Sequence, residues 1–281
     1  MVGPAALRLA VTELEAKFAM KKRRACRVVG LASSTLYYQS RRPERAEVRA
    51  RLRDLAAQRP RWGYRRLHVL LHREGHQLNH KLVFRLYRSE GLAVRKKRRR
   101  RITASLRVVP PPPTQARQQW TMDFTQDSLS TGRQFRTLNL IDTFTRECLL
   151  IEADHSLTGP RVVRALERLK ELYGKPEVIR IDNGTEFTSS AVDAWAYANQ
   201  VRLDFITKGK PTENGHIESF NGKFRDECLS ENWFISLDDA RRKVEEYRVD
   251  YNEVRPHSSL DNKTPNEFAR SLTGLTSASA Q

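Results

Sequence analysis

Asp123 in WTMDF, Asp182 in PEVIRIDNGTEF and Glu218 in GHIESFNGKFRDECL are the carboxylates of this 281-residue chain whose setting suits chemistry. Val178, Ile179 and Ile181 read as a short buried strand that ends abruptly at Asp182-Asn183-Gly184, so a carboxylate sits at the strand's mouth. Asp123 lies inside another apolar and aromatic run, where an Asp is costly to bury unless it is paired or holds a cation. Metal-dependent phosphoryl transfer uses two or three such carboxylates converging on one point, because hard Mg²⁺ ions prefer oxygen ligands.

The third carboxylate should come from an element packed beside those strands. In residues 215–229, Ile217, Phe220, Phe224 and Cys228 form a helical apolar stripe, with Glu218 at its edge. Asn221, Gly222 and Arg225 continue the face of Glu218, and two turns carry Arg225 roughly 10 Å along the axis. That is a sensible reach for the phosphates flanking a bound strand. Other readings stay open. Asp182 could be turn chemistry alone, Asp142 is a rival for the first position, and Glu186 or Glu213 for the third. Ser219 and Tyr251 read as structural, since neither has a general base at useful spacing.

The surrounding pattern supplies the elements. Residues 120–129, 134–144 and 147–155 are strand-like runs separated by short turns. A helix over 162–174 closes at Gly174 and Pro176. Helices near 189–200, 214–230 and 237–250 and a strand over 202–207 complete a mixed α/β layer. Thr264-Pro265-Asn266-Glu267 is a capping box, which predicts a further helix.

Charge divides the chain. Residues 1–117 hold 30 of the 51 basic residues and 7 of the 33 acidic ones, a net +23, which leaves the remainder at −5. A basic part that grips phosphates and a near-neutral part that acts on them fits this split. Residues 14–39 have the cadence of a helix-turn-helix around Gly30, with Ser33-Ser34 as the expected cap of the last helix. Residues 59–92 repeat it: Leu67, Leu70 and Leu71 share one face, Gly75 turns the chain, and Asn79 caps a helix carrying Lys81, Arg85 and Arg88 on one stripe. Those three, with the run Arg95, Lys96, Lys97, Arg98, Arg99, Arg100 and Arg101, are the expected DNA-backbone contacts. His68, His72, His76 and His80 recur every four residues, but Gly75 breaks the helix between the pairs and no cysteine is near, so they read as surface and turn groups. His257 beside Arg255 reads either as a DNA contact or as a surface turn.

Pro110–Pro113 mark a stiff linker. The expected organisation is therefore 1–44 and 45–101 as helix-turn-helix-like segments and 102–117 as linker. Residues 118–235 form the catalytic core, and 236–281 a helical segment and tail. Cys26, Cys148 and Cys228 form neither a disulfide framework nor a zinc pattern and suit a reducing cytosol. A membrane span or signal peptide is not expected, and the protein is expected in the cytoplasm with the nucleoid.

The set is more specific than its members. Asp in W-x-x-D-F, Asp in an apolar strand before N-G-x-E-F, and Glu after 35 intervening residues in I-E-S-F-N-G resemble the integrase catalytic core of retroviral integrases and bacterial transposases. The similarity is closest to second-frame transposases of two-frame insertion sequences. It extends to WGYRRL (residues 62–67) and YNEVRPHSSLDNKTPNEF (251–268). The resemblance implies an α/β RNase H-like core preceded by an all-α helix-turn-helix region. It implies that Asp123, Asp182 and Glu218 hold two Mg²⁺ ions, with Mn²⁺ as a substitute, and that Arg225 is their basic companion. It also implies double-stranded DNA as substrate, the upstream-frame product as partner, and a homo-oligomer on DNA. The competing readings are a catalytically silent DNA-binding regulator and an RNA–DNA hybrid nuclease. All three carboxylates are present, which argues against the first, and paired helix-turn-helix units suit duplex DNA, which argues against the second.

Overall fold

The computed structural model describes residues 3–39, 44–94, 111–206 and 214–278. The basic run 95–101 and Glu213 lie outside the described residues. The chain divides into two compact units, Met1–Glu47 and Val48–Gln281.

The first unit holds α1 (Pro4–Phe18), α2 (Lys22–Val28) and α3 (Ser33–Leu36). They close on Val11, Ala25, Cys26 and Leu31. The turn expected at Gly30 is present, with φ +67°. The cap expected at Ser33-Ser34 is not: Ala32 occupies the N-cap position and no side chain caps the helix. The Leu31 amide donates back to the Cys26 carbonyl at 2.9 Å. That closure draws Leu31 into the core and sets where α3 begins.

The division falls in the first turn of α4 (Ala46–Gln58), which with α5 (Tyr64–Arg73) and α6 (His80–Ser89) forms the helical module of the second unit. Leu52, Leu55, Trp62, Leu67, Leu71, Val83 and Leu86 form its core. Gly75 turns the chain at φ +91°, and the Asn79 side chain accepts the Lys81 amide at 2.8 Å, as its cap role requires.

Beyond this module lies a five-stranded sheet of order β3-β2-β1-β4-β5. The strands are β1 (Gln119–Ser128), β2 (Gln134–Asp142), β3 (Cys148–Asp154), β4 (Val178–Ile181) and β5 (Arg202–Phe205). The pairs β1/β2 and β2/β3 are antiparallel, while β1/β4 and β4/β5 are parallel. Helices α7 (Gly159–Tyr173) and α8 (Ser190–Asn199) cover one face through Trp120, Met122, Leu166, Ile179 and Trp195. Helices α9 (Gly215–Glu227) and α10 (Leu237–Glu253) cover the other through Phe135, Ile151, Phe220, Phe224 and Tyr247. The expected stripe of α9 is buried as a set: Ile217, Phe220, Phe224 and Cys228 are at most 2% exposed. Helix α11 (Pro265–Ala278) opens on the predicted capping box. The Thr264 amide donates to Glu267 Oε2 at 2.7 Å and the Glu267 amide to Thr264 Oγ1 at 3.1 Å.

Candidate active site

Strand alternation puts Thr121, Asp123 and Thr125 of β1 on one face, and Asp123 pairs across the ladder with Asn139 of β2. A polar chain runs through this face. The Asn139 amide group donates to Thr125 Oγ1 and to Asn221 Oδ1, both at 2.8 Å, and Asn221 Nδ2 donates to Asp123 Oδ2 at 2.7 Å. The other carboxylate oxygen of Asp123 accepts the Phe124 amide at 2.7 Å. Asn221 is on α9, one turn after Glu218, so the helix that carries Glu218 is tied directly to Asp123. Asn139 is the residue that sequence reasoning missed. The available signal was a fully buried Asn in the middle of the apolar run TLNLID.

Asp182 follows β4, next to β1 in the sheet. Its Oδ1 accepts the Gly184 amide at 3.0 Å. A side chain at Gly184 would bring its Cβ within 3.0 Å of that same oxygen, which explains the glycine. Asp182 is therefore a turn residue and also a neighbour of Asp123. Burial, helped by the charge of Asp182, raises the Asp123 pKa to about 6 against the opposing Phe124 amide, Asn221 and Arg225. Two neighbouring carboxylates, one of them pushed up in this way, would be favoured by a bound cation. The donor set is all oxygen, as Mg²⁺ prefers, so the residues present fit such an ion.

Asp123 and Asp182 are brought together. Glu218 is exposed on the neighbouring turn of α9. Among the described residues no three His, Cys, Asp or Glu side chains already stand at metal-ligating spacing. Of the rivals, Asp142 is consumed by structure: it accepts the amides of Phe144, Thr145 and Arg117 at 2.9, 2.8 and 2.7 Å. Glu186 is ion-paired with Arg136, which holds its pKa below the usual range. Lys81, Arg85 and Arg88 are exposed together on α6, and Arg225 is exposed on α9.

Of the four-spaced histidines, His68 serves as a turn group, its Nε2 2.7 Å from the Leu78 carbonyl. The surface-turn reading of His257 and Arg255 is overturned, since they are 5% and 1% exposed. Arg255 grips the last residue of α9, with Nε 2.7 Å and Nη2 2.8 Å from the two Glu227 oxygens. Arg66 Nη1 reaches Glu227 at 3.0 Å and Trp62 Nε1 at 3.3 Å. WGYRRL and the 251–268 segment thus converge on the C-terminal end of the helix whose first turn carries Glu218.

Three family models match the chain: an HTH-like domain over residues 43–101, and integrase core domains over 113–211 and 199–265. An uncharacterized protein of insertion element IS407 from Burkholderia multivorans is 47% identical over 92% of this chain and 94% of its own length. An uncharacterized protein of insertion element IS476 from Xanthomonas euvesicatoria is 40% identical over 95% and 78%. A putative transposase of insertion element IS150 from Escherichia coli is 27% identical over 86% and 91%. Among solved structures, a chain of the simian T-cell lymphotropic virus intasome, in complex with a PP2A regulatory subunit, superposes with a TM-score of 0.51 at 16% identity. That match covers 78% of this chain and 74% of the other. It bears on the fold alone, and the shared fold is the integrase-type, RNase H-like core.

Proposed function

This chain belongs to the integrase-core family of insertion-element transposases, and we propose that Asp123, Asp182 and Glu218 are the carboxylates with which it cleaves and joins DNA strands. The observation that carries this assignment is the Asp123–Asp182 pair, locked through Asn221 to the helix bearing Glu218. The three would hold two Mg²⁺ ions, or Mn²⁺ in their place. When bound, such ions activate the attacking oxygen, of water or a DNA 3′-hydroxyl, and stabilise the leaving 3′-oxygen in an in-line displacement.

The chain's own groups have separate tasks. Asn221 fixes the rotamer of Asp123 and keeps one of its oxygens engaged. The Gly184 amide does the same for Asp182. Arg225, two turns after Glu218, lies on the same side of α9 and would bind a phosphate flanking the scissile bond. Lys81, Arg85 and Arg88 would follow the DNA backbone along α6, and Arg95, Lys96, Lys97, Arg98, Arg99, Arg100 and Arg101 would extend that contact. Tyr251 is buried and its pKa is raised, chiefly by burial, so a covalent protein–DNA intermediate through it is disfavoured.

The division of labour runs along the sequence: 1–44 and 45–101 bind DNA, 102–117 link, 118–235 catalyse, and 236–281 buttress the core. The upstream-frame product of the same element, a second copy of this chain on DNA, and a cytoplasmic, nucleoid-associated setting complete the proposal.

The test is cleavage and joining of labelled duplex carrying the ends of the parent element, with Mg²⁺ or Mn²⁺. Activity that is lost in Asp182→Asn and Glu218→Gln while DNA binding survives supports the assignment. Binding without cleavage in any form, even after adding the upstream product, moves the chain to the regulator reading.

A further inference from the structure

Asp182 follows β4 on a turn, and the residues just after it are fastened to the strand of Asp123 from the other face of the sheet. Alternation along β1 turns Asp123 towards α9 and its neighbour Phe124 towards α7 and α8. The Phe187 ring, five residues after Asp182, is fully buried and stacks on Phe124, with centroids 4.6 Å apart and planes 11° from parallel. Arg136 of β2 is a diagonal neighbour of Phe124 across the ladder, since Phe124 pairs with Leu138. Its guanidinium carbon stands 4.2 Å from the centroid of the Phe124 ring, and its Nη1 donates to Glu186 Oε1.

The stack and the ion pair act on one short segment. Glu186 and Phe187 are consecutive, and the Phe187 amide closes back on the Gly184 carbonyl at 3.0 Å. The Gly184 amide donates in turn to Asp182 Oδ1 at 3.0 Å. At the far end, the Phe124 amide donates to Asp123 Oδ1 at 2.7 Å. A continuous path of contacts therefore joins Asp182 to Asp123 through Gly184, Phe187 and Phe124, and Arg136 clamps its middle. The Arg136 and Glu186 side chains are 32% and 23% exposed, so their attraction is screened less than that of an open surface pair.

Glu186 is also close to Asp182. A Cβ added at Gly184 would lie 3.0 Å from Asp182 Oδ1 and 3.7 Å from Glu186 Oε2, so the two carboxylates flank one glycine. Like charges so placed repel, and Arg136 offsets one of them. Both Glu186 oxygens are engaged, one by Arg136 and the other by the Thr185 hydroxyl at 3.1 Å. We propose that Arg136 and Glu186, with the Phe124–Phe187 stack, form a latch that sets the position of Asp182 relative to Asp123 and so the affinity of that pair for a divalent cation. They are positioning residues, acting through Asp182 and not on the reacting atoms. The inference rests on the reading of Asp123 and Asp182 as metal ligands.

The test is Mn²⁺ binding to the full chain without DNA, followed by loss of the free-ion EPR signal, so that cleavage plays no part. Arg136→Ala, Glu186→Ala, the double variant and Arg136→Lys are compared with the wild type, each with its melting temperature. The expected result is that both alanine variants weaken Mn²⁺ binding by about tenfold, as loss of an outer-shell partner does. The double variant should be no weaker than the worse single one, because both changes remove the same contact. Arg136→Lys keeps a cation beside Glu186 and should recover most of the loss. If Glu186 were itself a ligand, Glu186→Ala would lose affinity while Arg136→Ala, by freeing the carboxylate, would keep or gain it. That pattern would overturn the latch. Lowered melting temperatures with unchanged Mn²⁺ affinity would make the contacts structural and overturn it equally. Failure of the underlying reading looks different: Asp182→Asn would bind Mn²⁺ as tightly as the wild type, or the wild type would take up none, and the ligand assignment would fall together with the latch.

Discussion

Helix α9 carries Glu218 in its first turn and Glu227 at its end, and the two carboxylates are treated in opposite ways. Glu227 is almost enclosed, with two arginines and an indole on its oxygens, and those partners hold its pKa below the ordinary range against the effect of burial. Glu218 is exposed one turn before Asn221, which holds Asp123, and the charge of Asp182 acts on Asp123. One end of the helix is electrostatically complete and the other is not. Completeness at Glu227 makes α9 a rigid part of the framework, bound to the helical module through Arg66 and to the C-terminal segment through Arg255. The raised pKa of Asp123 beside Asp182 is the setting that a bound divalent cation would relieve under the proposed assignment. The difference separates a carboxylate that holds the fold from carboxylates that would do chemistry, although sequence alone lets both be read as helix glutamates.

The strongest way to break the comparison is to remove the satisfied carboxylate. Glu227→Ala leaves Arg255 buried without its counterion, and chemical denaturation should show a loss of about 3–5 kcal/mol. Glu218→Ala in the same assay should stay within about 0.5 kcal/mol. Equal losses would erase the distinction.

A smaller effect is expected where the two ends communicate. Asn221→Ala releases the oxygen of Asp123 that the helix holds. By analogy with outer-shell partners of metal ligands, cleavage per folded molecule should fall about 10–100-fold, with the Mg²⁺ requirement shifted upward. A rate unchanged at every Mg²⁺ concentration would mean that the Asn139–Asn221–Asp123 chain serves packing alone.

Acid should distinguish the carboxylates by sign. The folded-state pKa of Asp123 is raised to about 6 from 3.8, so its contribution to stability is fully present below pH ~4 and is lost as pH rises through about 6. The folded-state pKa of Glu227 is depressed, so its contribution is present above about 4.5 and is lost as pH falls through the lowered value. In EDTA, wild type should therefore gain about 1–2 kcal/mol relative to Asp123→Asn between pH 6 and 4. Thermal melts across that range check it, and a gap of constant size would contradict it. The smallest effect lies away from α9: Thr264→Ala removes half of the α11 capping box and should cost about 1 kcal/mol in the same melts, without altering cleavage at saturating Mg²⁺.

Local patterns proved legible wherever the physics is local. The strands of residues 120–155, the stripe of α9, the Asn79 cap and the Thr264–Glu267 box arise from alternation, helical period and short-range hydrogen bonding. The Asp123–Asp182 pair was legible for a related reason, since both are polar groups set at apolar strands. The features that local spacing could not reveal depend on partners distant in sequence. Arg66 and Glu227 are 161 residues apart, and Asn139 and Asn221 are 82. His257 and Arg255 read equally as a DNA contact or a surface turn, yet Arg255 is buried on Glu227, 28 residues away, and His257 packs edge-on to Tyr251. Asp142 looked as good as Asp123 until its three amide donors appeared.

The most direct measurement sets Glu218→Gln beside Glu227→Gln in Mg²⁺-dependent cleavage of end-bearing duplex, at a temperature where both are folded. Glu218→Gln should melt like wild type and lose at least about 10³-fold in rate, some 4 kcal/mol of transition-state stabilisation. Glu227→Gln should melt lower yet cleave within about tenfold of wild type, with the same metal dependence. An active Glu218→Gln alongside a folded but inactive Glu227→Gln would reverse the roles assigned to the two ends of α9.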